Sequence, residues 1–205
     1  MKVLILNGSP RVDGNTSIAI NELVKTFKEN DVETIVMPVG NQLVRGCMAC
    51  GYCSENGKCV FNDIVNKIAP IFEECDGLIV ASPVYYVSAN GTLISMLDRL
   101  FYSTSFDKSF KVGSSVCVAR RGGCSSTFDE LNKYFTISNM PIASSQYWNS
   151  VHGRNKGEVE LDLEGLQTMR VLARNMTFLM KSIALGKKEY GLPVREKRVG
   201  TNFIR

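Results

Sequence analysis

The sequence predicts an α/β fold: a doubly wound, five-stranded parallel sheet in three α/β/α layers. Three observations predict it. Five short apolar, β-branched-rich runs punctuate the 205 residues. Stretches with apolar residues at helical spacing lie between and after them. Three of the runs are almost continuously apolar instead of alternating, as strands covered on both faces are. The resulting βαβαβαβαβα order favours a parallel sheet with helices on both sides.

The strands are expected at VLILN (3–7), TIVMPV (34–39), GLIVAS (77–82), SVCVAR (115–120) and PIASSQYW (141–148). The first helix runs from Thr16 to Glu29, with Ile18, Ile20, Leu23, Val24 and Phe27 near one face and Asn15 or Thr16 as its cap. The second spans Asp63 to Cys75, where Pro70 predicts a kink or a split. The third spans Asn90 to Tyr102 and the fourth Ser126 to Ser138. The longest runs from about Leu163 to Leu185. The stretch NSVHGRNKGEVE (149–160) reads as a surface loop. Residues 1–186 form one domain, with a cysteine-rich insertion at 45–60 and a basic tail at 187–205.

Composition bounds the function. Hydrophobic residues make up 44% and charged residues 21%, ordinary values for a soluble globular chain. No apolar run approaches the roughly 18 residues that span a bilayer. MKVLILNGSP breaks into a Gly-Ser-Pro turn before it could form a secretory apolar core. The expectation is a cytoplasmic protein whose thiols stay reduced unless they hold metal or do redox chemistry. Residues 187–205 hold Lys187, Lys188, Arg195, Lys197, Arg198 and Arg205 against Glu189 and Glu196, which accounts for the whole net charge of +4. Without interleaved aromatics the tail reads as a solvated segment or a subunit contact, not a nucleic-acid platform.

The first strand leads into NGSPRVDGNTS (7–17), a glycine-rich turn that opens a helix. Such a helix start is an anion site. Ser9, Arg11, Asn15, Thr16 and Ser17 are the candidate phosphate ligands. A nucleoside triphosphate loop needs G-x-x-x-x-G-K-[ST]. Here five residues separate Gly8 from Gly14, and Asn15 stands in place of the lysine. The G-x-G-x-x-G dinucleotide fingerprint is absent as well. What remains is a loop for one terminal phosphate.

GSPRxxGNT after a first strand resembles the flavodoxin-like NAD(P)H-dependent FMN reductases, and within them the iron–sulfur flavoproteins. The likeness extends over nearly the whole chain, because two further motifs follow in order. SPVYYVSANGTL (82–93) resembles the second flavin loop of that family. Pro83 stiffens the turn, while Val84, Tyr85 and Tyr86 offer apolar and aromatic surface to a flat ring. ARRGGCSS (119–126) matches the third loop, and the resemblance puts Arg120, Gly122 and Gly123 nearest the ring. Trp148 is implied as a partial cover, Arg121 as a solvent or nicotinamide-phosphate contact, and Cys124 as an inert thiol beside the loop. His152, the only histidine, is not expected to be catalytic, because hydride transfer to flavin needs no protein base.

GCMACGYCSENGKC (46–59) holds four of the seven cysteines at C-x2-C-x2-C-x5-C. By spacing alone it suits an iron–sulfur cluster, zinc or no metal, though zinc usually pairs two knuckles across a longer loop. Gly46, Gly51 and Gly57 are expected to supply tight turns. The family resemblance implies Cys47, Cys50, Cys53 and Cys59 as ligands of a [4Fe–4S] cluster. It also implies FMN as cofactor, NAD(P)H as reductant, and a small-molecule or ferredoxin-like acceptor. A homo-oligomer, dimer or tetramer, is expected, with no nucleic-acid or membrane partner. The alternative is a flavodoxin-like electron carrier reduced by another protein. Such carriers are usually acidic, and a sequence pI of about 8.7 speaks against it. A redox-sensing binding protein has only the thiols in its favour.

Overall fold

The computed structural model describes residues 1–197 and 199–203. Arg198 and Arg205 of the basic tail lie outside the described residues. The strands are β1 (Lys2–Asn7), β2 (Glu33–Pro38), β3 (Gly77–Pro83), β4 (Val112–Ala119) and β5 (Ser150–His152). The helices are α1 (Asn15–Glu29), α2 (Tyr52–Asn56), α3 (Ile64–Glu74), α4 (Gly91–Ser103), α5 (Cys124–Ile137) and α6 (Leu163–Tyr190), with a 3₁₀ turn at Glu158–Leu161. The sheet is parallel throughout, in the order β2-β1-β3-β4-β5. This is the flavodoxin-like order, which reverses direction at β1 and β3 and puts ligands at the carboxyl ends there.

The apolar strand runs are explained by a core on each face. Val3, Ile5, Ile79 and Val116 point to α1 and α6, against Ile20, Leu23, Phe27, Met169, Leu172 and Met176. Leu4, Leu6, Leu78, Val80 and Cys117 point the other way, to α3, α4 and α5, against Ile68, Phe72, Leu93, Leu97, Leu131 and Phe135. Successive strand residues thus serve opposite cores, and the polar side chains buried in the strands, such as Ser114 and Ser115, are hydrogen-bonded.

Several expectations are corrected. The predicted strand at 141–148 touches the sheet at one bridge only, Gly113 to Ile142. The chain then leaves and returns as β5, where Val151 is buried. Buried Asn149 makes the return possible, because its amide donates to Ser114 Oγ (3.0 Å) and Ser115 O (3.1 Å). The predicted loop 149–160 therefore contains the fifth strand and most of the 3₁₀ turn. Pro70 lies inside an unbroken α3, held by buried Val65, Ile68 and Phe72 on the same face. Gly14, not Asn15 or Thr16, is the N-cap of α1. Helix α5 begins at Cys124, two residues before the expected start, and α6 continues through the predicted domain end to Tyr190.

Candidate functional site

At the carboxyl ends of β1, β3 and β4 lies a cavity of about 220 Å³. Ser9, Arg11, Gly14, Asn15 and Thr16 line one side, Pro83, Val84 and Tyr85 another, and Val118, Ala119, Arg120, Gly153, Arg154 and Lys156 the remainder. A larger groove, about 410 Å³, runs past Asp76 and Lys111, which precede β3 and β4. It therefore opens at the amino ends of the strands, away from the switch point, and we assign the ligand to the smaller cavity.

The cavity is built for an anion. No side chain caps the first turn of α1, and that turn carries no acidic residue; Ser17 N–H bonds back to Gly14 O (3.0 Å), which leaves the N–H groups of Asn15 and Thr16 for a ligand. Arg11, Arg120, Arg154 and Lys156 add four cations, and no described carboxylate lines the cavity. The first loop is tied down from behind. Ser9 N–H donates to Asn7 Oδ1 (3.0 Å), Arg11 N–H to Ser9 Oγ (3.2 Å), and Gly8 N–H to Ala81 O (2.7 Å).

Two of the five predicted phosphate ligands have their side chains engaged elsewhere. The Asn15 amide donates to Asn155 O (2.9 Å) and its oxygen accepts from Gly157 N–H (3.0 Å). It clamps the 153–157 loop over α1 while its backbone stays at the cavity. Ser17 Oγ donates to Val12 O and accepts from Asn7 Nδ2, and Ser17 does not line the cavity.

The second loop is strained and pinned. Tyr86 (φ 49°) and Val87 (φ 67°) are both left-handed, a costly state for an aromatic and a β-branched residue. Tyr85 and Ser88 close the turn with paired backbone bonds of 2.9 and 3.0 Å. Glu130 on α5 accepts from Ser88 Oγ (2.8 Å) and Ala89 N–H (2.9 Å), and Ser126 Oγ donates to Val87 O (3.0 Å). The turn holds Tyr85 at the cavity and projects Tyr86 fully into solvent. Gly122 and Gly123 lie just beyond the cavity lining. Gly123 has φ 97°, and a Cβ there would come within 2.8 Å of Val84.

Arg154 and Lys156 were missed by the sequence reading. Basic residues in a loop that follows the last strand were the available signal. His152 stands at the end of β5, paired in register with Ala119. Its Nε2 is 3.9 Å from Cys124 Sγ and its Nδ1 3.7 Å from Asp162 Oδ2. Asp162 is fixed by N–H bonds from His152 (2.6 Å) and Gly165 (2.9 Å). Burial pushes the Cys124 thiol up, so it keeps its proton. Trp148 is half-exposed and packs edge-on against Tyr147, outside the cavity lining.

The four loop cysteines are free thiols, two exposed and two partly buried, and together they line one small pocket with Phe61, Arg99, Tyr102 and Ser103. Gly51 and Gly57 are left-handed and bracket α2, while Ala49 (φ 52°), not Gly46, takes the third such turn. The donor set fits a cluster: four thiols share one pocket, and N–H groups already point at sulfur, from Ala49 to Cys47 (3.4 Å) and from Arg99 Nε to Cys59 (3.2 Å). The sulfurs are not yet closed on a common centre, since no group of three or more potential ligands among the described residues is placed to hold a metal ion. The thiol pocket lies beside the last turns of α4, roughly 13 Å along the helix from its cap at Asn90.

The chain resembles known proteins in both sequence and fold. It is 31% identical over 191 residues to an iron–sulfur flavoprotein of Methanocaldococcus jannaschii, covering 89% of this chain and 99% of that one. It is 29% identical over 187 residues to an iron–sulfur flavoprotein of Methanosarcina thermophila, covering 89% and 97%. Among solved structures, RosB with a bound 8-demethyl-8-formylriboflavin-5′-phosphate intermediate superposes with a TM-score of 0.71 at 16% identity, over 100% of this chain and 93% of that one. An archaeal flavodoxin superposes at 0.58 with 12% identity, over 90% and 99%, a likeness of fold alone. The family model of the NADPH-dependent FMN reductases matches residues 1–155. With its anion cradle and flavodoxin-like sheet, this chain belongs to the NADPH-dependent FMN reductase family and is an FMN-dependent oxidoreductase.

Proposed function

We propose that the protein takes hydride from NAD(P)H onto FMN in the 220 Å³ cavity and passes the electrons to an acceptor by way of a [4Fe–4S] cluster in the cysteine pocket. When bound, FMN supplies a two-electron acceptor that can release electrons singly, and the cluster a one-electron carrier. Ser9, Thr16 and the uncapped N–H groups of α1 would bind the 5′-phosphate. Arg11, Arg120, Arg154 and Lys156 neutralise it. Pro83, Val84 and Tyr85 give the ring an apolar wall, and Gly122 and Gly123 let the backbone of the third loop approach its edge. Cys47, Cys50, Cys53 and Cys59 would hold the cluster. The exposure of Cys47 and Cys50 leaves their thiols room to turn inward.

One observation carries the flavin reading: an uncapped helix start and four cations share a carboxylate-free cavity with an aromatic turn at the sheet's switch point. The same reading makes the protein cytoplasmic, where thiols stay reduced, and a dimer or tetramer that covers Tyr86 and Trp148. A small molecule or a ferredoxin-like protein then accepts the electrons. Among the described residues no helix is long and apolar enough to cross a membrane.

The test is iron, acid-labile sulfide and FMN on protein purified without oxygen, followed by addition of NADH or NADPH. About four irons and four sulfides per FMN, with rapid bleaching of the flavin, is the expected result. FMN without iron leaves a simple FMN reductase. Flavin that neither nucleotide reduces returns the protein to the carrier reading.

A further inference from the structure

We infer that Arg99 is the residue that orients Cys59 and sets the reduction potential of the cluster; this rests on the cluster reading above. Arg99 heads the largest fully buried side chains and is only 1% exposed. Four of its five N–H donors bond the cysteine loop and its flanks. Nη1 donates to Asp63 Oδ2 (2.6 Å) and Arg45 O (3.3 Å), and Nη2 to Asp63 Oδ1 (2.9 Å). Nε donates to Cys59 Sγ (3.2 Å). The guanidinium lies 5.0 Å from the centre of the Phe61 ring, which Arg45 faces as well at 4.8 Å. One side chain on α4 therefore closes the loop at both ends, at residue 45 and at residues 59–63.

Cys59 is fixed from two directions. Its N–H donates to Asn66 Oδ1 (3.1 Å), and Asn66 Nδ2 returns bonds to Cys59 O (2.9 Å) and Phe61 O (3.0 Å). With the backbone held by Asn66, the Arg99 bond selects the direction of the sulfur. Asp63 cannot swing away either, because Oδ1 also accepts from Val65 N–H (3.1 Å) and caps α3. The fork is thus locked with Nε–H facing sulfur.

The consequence for an electron-accepting centre follows from charge. A guanidinium never loses its proton at working pH. A buried, fixed N–H donor to a ligand sulfur stabilises the more negative, reduced centre more than the oxidised one. Arg99 therefore raises the potential. Asp63 partly cancels the cation, so removing the carboxylate charge raises the potential further, whereas removing Arg99 lowers it. Lysine cannot reproduce the arrangement, because its single ammonium cannot bond both Asp63 oxygens and the sulfur in a fixed plane.

The experiment compares wild type, Arg99→Lys, Arg99→Met and Asp63→Asn, all purified without oxygen. Iron, sulfide and FMN are quantified first. The cluster's midpoint potential is then read by redox titration, followed by electron paramagnetic resonance of the reduced form. Arg99→Lys is expected to keep its iron and to show at least a tenfold smaller reduction equilibrium constant, about 59 mV lower for a one-electron couple. Asp63→Asn is expected to move the potential upward. Full iron and an unchanged potential in Arg99→Lys overturn the inference. If both Arg99 variants lose iron while keeping FMN, Asp63→Asn decides: an upward shift supports the inference and no shift overturns it. Wild-type protein without iron overturns the cluster reading itself, and this is seen before any variant is compared.

Discussion

Gly40→Ala tests the phosphate cradle from outside it. Gly40 follows β2, does not line the cavity and packs behind the Gly8–Ser9 backbone, and its N–H and that of Val39 both donate to Asn7 O, at 3.0 and 2.8 Å. A Cβ at residue 40 would lie 2.2 Å from Gly8 O, 2.3 Å from Ser9 C and 2.4 Å from Gly8 C. Ordinary contact begins near 3.4 Å, so the Gly8–Ser9 backbone has to retreat by about 1 Å. It has nowhere to go, because Gly8 is bonded to Ala81 O, and a Cβ on Gly8 itself would already lie 2.6 Å from Leu93. Overpacking of this kind costs about 1–3 kcal/mol, and in a chain of this size each kcal/mol lowers Tm by about 2–4 °C. The affinity loss is separate. A bond to a charged group contributes about 1.5–3 kcal/mol, so misplacing a single donor to the phosphate weakens FMN binding at least tenfold. The assay is FMN fluorescence quenching with thermal melting of the apoprotein. Gly122→Ala is the contrast, since a Cβ there meets nothing within 4 Å, and it is expected to weaken FMN binding without moving the apoprotein Tm. Gly40→Ala that melts early but binds FMN like wild type refutes the cradle assignment.

Glu130→Ala removes the carboxylate that holds Ser88 and Ala89. It should cost about 1–3 kcal/mol, relax the left-handed Tyr86–Val87 turn, and shift the absorbance bands of bound flavin; unchanged bands would show that the turn does not face the ring. Burial pushes the Cys75 thiol up to about 11 from 9.0, so the folded chain holds that proton more tightly than the unfolded one. That contribution is intact below pH 9 and falls by about 2–3 kcal/mol between pH 9 and 11. Half-buried Lys111 is pushed down by desolvation and slopes the other way, so the measurement is the difference in urea stability between wild type and Cys75→Ala across that window, where equal slopes would contradict the assignment. In metal-free protein at pH 8, iodoacetamide should label exposed Cys47 and Cys50 first and leave buried Cys75 and Cys117 unlabelled. Iron-loaded protein should protect Cys47, Cys50, Cys53 and Cys59 together, as peptide mass mapping would reveal, and protection of only a pair would exclude a four-thiolate centre.

The parts of the fold that were legible in the sequence share one physical property, burial on both sides. VLILN, GLIVAS and SVCVAR are strands feeding two cores, and their unbroken apolar character is the direct imprint of that role. The fifth strand left no such imprint. It spans three residues, and only Val151 is apolar and buried. The more hydrophobic stretch before it ends in Tyr147 and Trp148, which face solvent. What sets the register there is Asn149, a polar residue whose bonds to Ser114 and Ser115 are long-range and carry no periodic signal. Pro70 misled in the opposite direction: the rule that proline breaks helices concerns local backbone, whereas Val65, Ile68 and Phe72 tie α3 to the sheet from both sides of it.

Legibility of the site follows the same division between local and distant contacts. GSPRVDGNTS is contiguous, so its glycine turn, hydroxyls and helix start could be read together. Arg154 and Lys156 reach the same cavity from the far end of the chain because Asn15 clamps their loop, and a side chain that reads as a phosphate ligand spends its amide on that clamp instead. Arg99 did leave a trace. It lies on a helix face with Leu93, Met96, Leu97 and Leu100, where a charge has no place without a partner. The partner, Asp63, sits four residues beyond Cys59, the last cysteine of the loop, so the charge is there for the thiol loop and not for the core. The two pockets consequently use positive charge in different ways. Arg11, Arg120, Arg154 and Lys156 are exposed, line a cavity with no carboxylate and attract an anion. Arg99 is sealed, balanced by Asp63 and aimed at one sulfur, an arrangement that does little to recruit a ligand but fixes the field around one already held.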